Sequence, residues 1–186
     1  MGERMPLLYL VRHGEPASGW GETNPDPGLS PLGLAQAAHA AGQLRASRVN
    51  FAITSPLLRC RETAAAFEME CGVQAVTSNG VREVPTPADV ADRPAWLRKV
   101  MAGRWSDTPS LEPFRAGIVA TLLGQNEDTA VFSHYVAINA AVGAAVGRAE
   151  VMVFKPAHAS ITVLSNDGGL LKLVEQGAEA PAVNAL

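Results

Sequence analysis

Cysteine is scarce in this chain of 186 residues. There are two, Cys60 and Cys71, both in one helix-like stretch and without metal-type spacing, so neither a disulfide framework nor a structural zinc site is expected. Charge is sparse as well. Charged residues make up 18% and the formal net charge is -3, with no run of Lys or Arg dense enough to follow a phosphate backbone, which argues against nucleic acid as a partner. The N-terminal run MGERMPLLYLVRHGE is too short in apolar residues, and too soon broken by Arg12, to act as a signal peptide. A reducing cytoplasm is the expected setting. Residues 130–147 (AVFSHYVAINAAVGAAVG) carry no formal charge, but their small residues and the interruptions at Ser133, His134 and Asn139 read as a core strand followed by a helix rather than a membrane span.

What the chain does have is apolar substance, at 47% of residues, enough for one good core in a single domain over residues 1–176, with a disordered tail at 177–186. The apolar runs alternate in kind. Residues 7–12 read as a strand, and a loop rich in Gly, Pro, Asn and Asp (residues 14–29) follows. Ser30-Pro31 opens a helix to about Ser47, with the serine as cap and the proline in the first turn. Residues 50–54 form a strand. Ser55-Pro56 is read as a second cap, opening a helix to about Glu70, and residues 73–78 as a strand. Helices are expected at 88–101 and 112–123, then a strand at 129–133, a helix at about 136–147, and a hairpin of 160–164 with 170–175 around Asn166-Asp167-Gly168-Gly169. Strand alternating with helix predicts an α/β fold: a three-layer sandwich with a largely parallel central sheet flanked by helices, and a small helical cap around residues 82–113.

In such sheets, ligands gather at the carboxyl ends of strands, where helices begin and present free N–H groups. Three of these ends carry unusual chemistry. The first strand ends on Arg12-His13, the second leads through Ser55-Pro56 to Arg59, and the fourth ends on Ser133-His134. Each residue alone reads as a structural one, a hydrogen-bonded histidine or a solvated arginine. Four at equivalent topological positions define an anion site. His39, in an Ala-rich helix, is read as structural, and so is His158, in a turn before a strand, although it falls close to the site.

The stretches LVRHGE (residues 10–15), LSPLGLAQA (29–37), SPLLRCRETA (55–64) and FSH (132–134) together resemble the histidine phosphatase superfamily, also called phosphoglycerate mutase-like, in order and over nearly the whole chain. The resemblance implies a catalytic and substrate-binding set. His13 would be the nucleophile that forms a phosphohistidine, with Arg12, Arg59 and His134 spreading charge on the phosphoryl oxygens. Glu83 would be the general acid and base, with Asp89 next in line, while Glu15 would orient an arginine. No metal and no other cofactor is expected, since the arginines stand in for one, and the parts of cysteine, aspartate and metal phosphatase mechanisms are missing from the sequence.

Two departures from the family pattern stand out. Tyr135 and Val136 follow His134 where two glycines are usual, so Tyr135 is expected to line and narrow the substrate pocket. The run VPTPADVADRP after Glu83 also lacks the glycine and acidic pattern of common sugar-phosphate members. The short chain favours a phosphoric monoester hydrolase over a mutase, acting on a small phosphorylated metabolite. The alternatives are a phosphoprotein substrate, specifically phosphohistidine, and a non-catalytic phosphate-binding or scaffold protein that has kept the fold. Neither a membrane nor nucleic acid is expected as a partner.

Overall fold

The computed structural model describes residues 5–18 and 24–181. Its centre is a six-stranded sheet formed by β1 (Leu7–Arg12), β2 (Phe51–Thr54), β3 (Ala75–Thr77), β4 (Thr129–Ser133), β5 (Ile161–Asp167) and β6 (Leu170–Glu175), in the order β3-β2-β4-β1-β5-β6. The pairs β1–β4, β2–β4 and β2–β3 are parallel, whereas β5 runs antiparallel to both β1 and β6. The fold is therefore the expected α/β sandwich with a mostly parallel sheet. Every residue of β4 is buried, as a central strand covered on both faces requires.

Two cores lie on opposite faces of the sheet. Leu8 and Leu10 of β1 belong to one and Val11 to the other, following the pleat. The Val11 face is covered by α1 (Pro31–Ser47) and α2 (Leu58–Cys71), which bring Ala40, Leu44, Cys60 and Phe67. The Leu8 face is covered by α4 (Glu112–Leu123) and α5 (Tyr135–Val146). The cap packs on this second core: Leu97 and Val100 of α3 (Arg93–Ala102), with Trp105 and Leu111 from the 3₁₀ turns that follow, are all buried there. Among the described residues no helix is long and apolar enough to cross a membrane.

Ser30 caps α1 as expected, its hydroxyl accepting from Gly33 N at 3.0 Å. Other boundaries move for physical reasons. Helix α3 begins at Arg93 rather than near residue 88, because a turn in which Val90 N donates to Pro87 O at 3.1 Å occupies the residues before it, and the helix is capped by Asp92, which accepts from Ala95 N at 2.9 Å. Helix α2 begins at Leu58 without a side-chain cap from its own N-cap residue, so the second Ser-Pro pair is not a cap. The hairpin turns on Gly168 and Gly169, with φ of 59° and 92°, the left-handed pair that a two-residue turn needs. The chain after Gln176, expected to be disordered, is held as far as Ala180: Ala178 O accepts from Ala157 N at 2.8 Å, and Ala180 N donates to Lys155 O at 2.8 Å. Two backbone hydrogen bonds offset the ordering of a short segment. Residues 182–186 of that tail and residues 19–23 of the first loop lie outside the described residues.

Candidate active site

Register brings the candidate residues together. Arg12 pairs with Ser133 and Thr54 with Phe132, so the residues immediately beyond, His13, His134 and Ser55, leave three adjacent strands at the same edge. Backbone bonds lock the exits: His13 N donates to Ser133 O at 3.0 Å and Ser55 N to Phe132 O at 3.0 Å. The first turn of α1 lies directly on the loop after His13. A side-chain carbon on Gly33 would collide with the Glu15 carbonyl oxygen, and one on Gly14 would stand 2.5 Å from Gly33 O.

His13 is 5% exposed. Its Nδ1 lies 2.8 Å from the Gly14 carbonyl oxygen, and since a carbonyl only accepts, Nδ1 carries the proton. The lone pair is then on Nε2. Burial, followed by the charge of Arg59, holds this imidazole well below the ordinary histidine pKa, so it stays neutral through mildly acidic pH.

His134 is fully buried behind it, the two rings 5.3 Å apart and edge to face. Its Nε2 is 2.8 Å from Ser55 Oγ and its Nδ1 is 3.2 Å from Arg59 NH2. A hydroxyl donates as readily as it accepts, so Ser55 supports either tautomer of the ring. With Nδ1 as acceptor the ring holds Arg59; with Nδ1–H it can donate to an oxyanion on the same side. Burial, then the neighbouring His13, Arg59 and Arg12, lower the His134 pKa too. Cys60, buried beneath, has its Sγ 3.3 Å from Nε2, and burial pushes its thiol pKa far up, so it stays protonated.

Ser55 was legible only as a cap, and the cap of α2 comes from elsewhere. Asp26 Oδ1 accepts from Leu58 N at 2.8 Å and stands 3.9 Å from Arg59 NH1. A carboxylate from the first loop thus serves the N-terminus of α2 and faces the cation that helix presents. Glu62 fastens the same loop by accepting from Leu29 N at 2.6 Å. Glu15, expected to orient an arginine, accepts instead from the Ser30 hydroxyl at 2.8 Å and so braces the cap of α1.

The pleat sends Arg12 to the opposite face from Val11, toward α5. Its guanidinium lies over the Tyr135 ring, 5.0 Å from the centroid, within cation–π range. NH1 donates to Pro156 O at 2.8 Å and NH2 meets His158 Nε2 at 2.9 Å, while Nε is buried without a partner among the described residues. Burial lowers the Arg12 pKa to about 10, which leaves it charged. His158, read from sequence as structural, belongs to this cluster; its ring is 5.9 Å from that of His13. Tyr135 is pinned at its far end, where the hydroxyl donates to Met152 Sδ at 3.2 Å.

Glu83 completes the group. One oxygen accepts from Val84 N at 2.9 Å and the other from Val136 N, in the first turn of α5, at 3.2 Å. Ser133 Oγ donates to Val81 O at 2.8 Å, clamping this segment to β4. Burial raises the Glu83 pKa above the usual carboxylate value, against the two N–H donors and the charges of Arg59 and Arg93. His13, Arg12, Arg59, Glu83 and Tyr135 all line one open pocket of about 1230 Å³, with Arg82 and Arg93 further along its wall. Asp89 is exposed and does not line it. Among the described residues no group of three or more His, Cys, Asp or Glu side chains could hold a metal ion.

The family model of the histidine phosphatase superfamily (branch 1) matches residues 8–178, and the chain belongs to that superfamily. The mycobacterial glucosyl-3-phosphoglycerate phosphatase superposes with a TM-score of 0.72 at 21% identity, over 95% of this chain and all of that one. A structure described as mycobacterial hydrolase 2 gives 0.74 at 21% identity over 97% and 94%. Phosphoserine phosphatase from Entamoeba histolytica, in complex with 3-phosphoglyceric acid, gives 0.69 at 20% identity over 94% and 98%. No curated protein matches the sequence.

Proposed function

We propose that this protein is a metal-independent phosphatase that hydrolyses a phosphate monoester through a phosphohistidine on His13. The observation that carries the reading is the bond from His13 Nδ1 to Gly14 O, which leaves a neutral Nε2 with its lone pair at a pocket lined by Arg12 and Arg59. In the first step Nε2 attacks phosphorus as the P–O bond to the alcohol breaks. Arg12 Nε, Arg59 and His134 Nδ1–H stabilise the equatorial oxygens, and protonated Glu83 gives its proton to the departing oxygen. In the second, a water loses its proton to Glu83 and attacks phosphorus, the P–N bond breaks, and phosphate leaves with His13 again neutral.

A Glu83 pKa raised by burial suits both halves, since the same group must be acid in one and base in the other. The cap, which contributes Thr86 and Arg93 to the pocket wall, supports a small phosphorylated metabolite over a phosphoprotein. Several relatives of the same fold carry phosphatase names, which supports hydrolysis. The test is single-turnover rapid quench with a labelled phosphate monoester in EDTA: an acid-labile phosphoenzyme should appear before product, and its absence in an active enzyme would reject the mechanism.

A further inference from the structure

The geometry points to residues 177–180 and His158 as the elements that hold Arg12 in position, so that the end of the chain sets the affinity of the phosphate site from behind. The inference rests on Arg12 being a phosphate ligand, as proposed above. Both terminal nitrogens of Arg12 are spent on one loop, NH1 on Pro156 O and NH2 on His158 Nε2. An arginine always donates, so His158 must accept at Nε2 and carry its proton on Nδ1. Burial and the neighbouring arginine lower the His158 pKa to about 4, which keeps that acceptor available.

The loop belongs to no helix or strand. Apart from Arg12 itself, residues 155–158 bond to other segments at residues 178–180: Ala157 N donates to Ala178 O, Ala180 N to Lys155 O, and Lys155 N to Glu179 Oε1 at 3.2 Å, while the flanks are tied by Val153 N and Phe154 N donating to Asn139 Oδ1 and by Ala159 N donating to His13 O. Pro156 and Glu179 pair as an isolated antiparallel bridge. Glu179 also lies close enough to Tyr135, the ring beneath Arg12, to add to the upward shift that burial gives that phenol. Residues 177–180 thus brace the loop that holds the guanidinium. An arginine has several rotatable bonds, and fixing it in advance lowers the cost of binding an anion.

The test compares His158→Ala, His158→Gln and a chain ending at Gln176, each alone and in an Arg12→Ala background. The readouts are KM and kcat for an aryl phosphate and the inhibition constant of inorganic phosphate, with circular dichroism to confirm folding. His158→Ala and the shortened chain should each weaken phosphate about tenfold, the size of one lost charge-assisted hydrogen bond, and raise KM more than they lower kcat. His158→Gln, which returns an acceptor near Nε2, should recover to within about twofold. With Arg12 already removed, neither change should cost anything more. If phosphate binds the His158→Ala and shortened proteins as tightly as the parent, or if their losses persist undiminished in Arg12→Ala, the inference is overturned. An Arg12→Ala enzyme with unaltered phosphate affinity would instead overturn the reading of the site, and the inference with it. Should the shortened chain fail to fold, the His158 pair decides alone.

Discussion

Ser55 Oγ stands 2.8 Å from His134 Nε2, at the bottom of the site and away from the pocket. The hydroxyl holds the ring so that its Nδ1 faces Arg59. His134→Ala should cost about 3 kcal/mol in kcat, the scale of one lost oxyanion donor. Ser55→Ala should cost about tenfold and add nothing in the His134→Ala background. Additive losses in steady-state kinetics would separate the two residues.

His13→Ala should lower turnover by at least about 10³-fold with the fold retained, since a covalent nucleophile has no substitute. Steady-state assay and phosphoenzyme trapping check it together, and a near-parental rate would move the nucleophile elsewhere.

The alternation of strands and helices, the first helix cap and the hairpin turn follow from patterns confined to short stretches of sequence, which is why they were legible, whereas the strand order β3-β2-β4-β1-β5-β6 depends on pairings between distant segments. Arg12, His13 and Arg59 were likewise legible as pocket residues, because each sits at or just beyond a strand end or helix start, whereas Glu83 and Tyr135 were legible only through the family resemblance. His134 was legible as a neighbour of His13, though it stands buried behind the pocket. Ser55, Asp26 and His158 were missed for one shared reason. Each acts through a partner far along the chain, and a serine before a proline, an aspartate in a turn and a lone histidine all have ordinary local explanations. The pairing of residues 177–180 was hidden similarly, since their partners are backbone groups of another loop.

Glu83→Gln should slow alkyl phosphates by about 10² to 10⁴-fold while barely changing esters with good leaving groups, which depart without a proton. The acid must be protonated for the first step. Its pKa is raised in the fold, so the alkyl-ester rate should fall as pH rises through that raised value. This alkaline limb should vanish in Glu83→Gln. Equal losses for both ester classes would assign the proton to another group.

Tyr135→Phe should keep the platform under Arg12 and preserve phosphate affinity. Tyr135→Leu should weaken it by about 0.5–2 kcal/mol, through loss of the cation–π contact. Inhibition by inorganic phosphate measures both. Equal affinities for Phe and Leu at this position would mean that the ring acts only as a wall.

His13, His134 and His158 all have lowered pKa values in the fold. Below about pH 6.5 the unfolded chain therefore binds protons that the native protein does not, and stability should fall as pH falls from there toward 4. Glu83, whose pKa is raised, opposes this between its unfolded value and its raised folded one. Urea unfolding at pH 7, 6 and 5 of the parent and of Glu83→Gln measures the balance, and a flat profile in Glu83→Gln would mean that the imidazoles are charged inside the protein.

Strand β1 pairs on one side with β4 and on the other with β5, both from the last third of the chain. During synthesis on the ribosome, the segment bearing His13 emerges before both of its sheet neighbours, which lie more than a hundred residues further along. Until they follow, the Arg-His pair has neither strand to rest on. The proposed phosphate site therefore assembles only once β4 and β5 have emerged, and a chain released before then carries His13 without the partners that hold it.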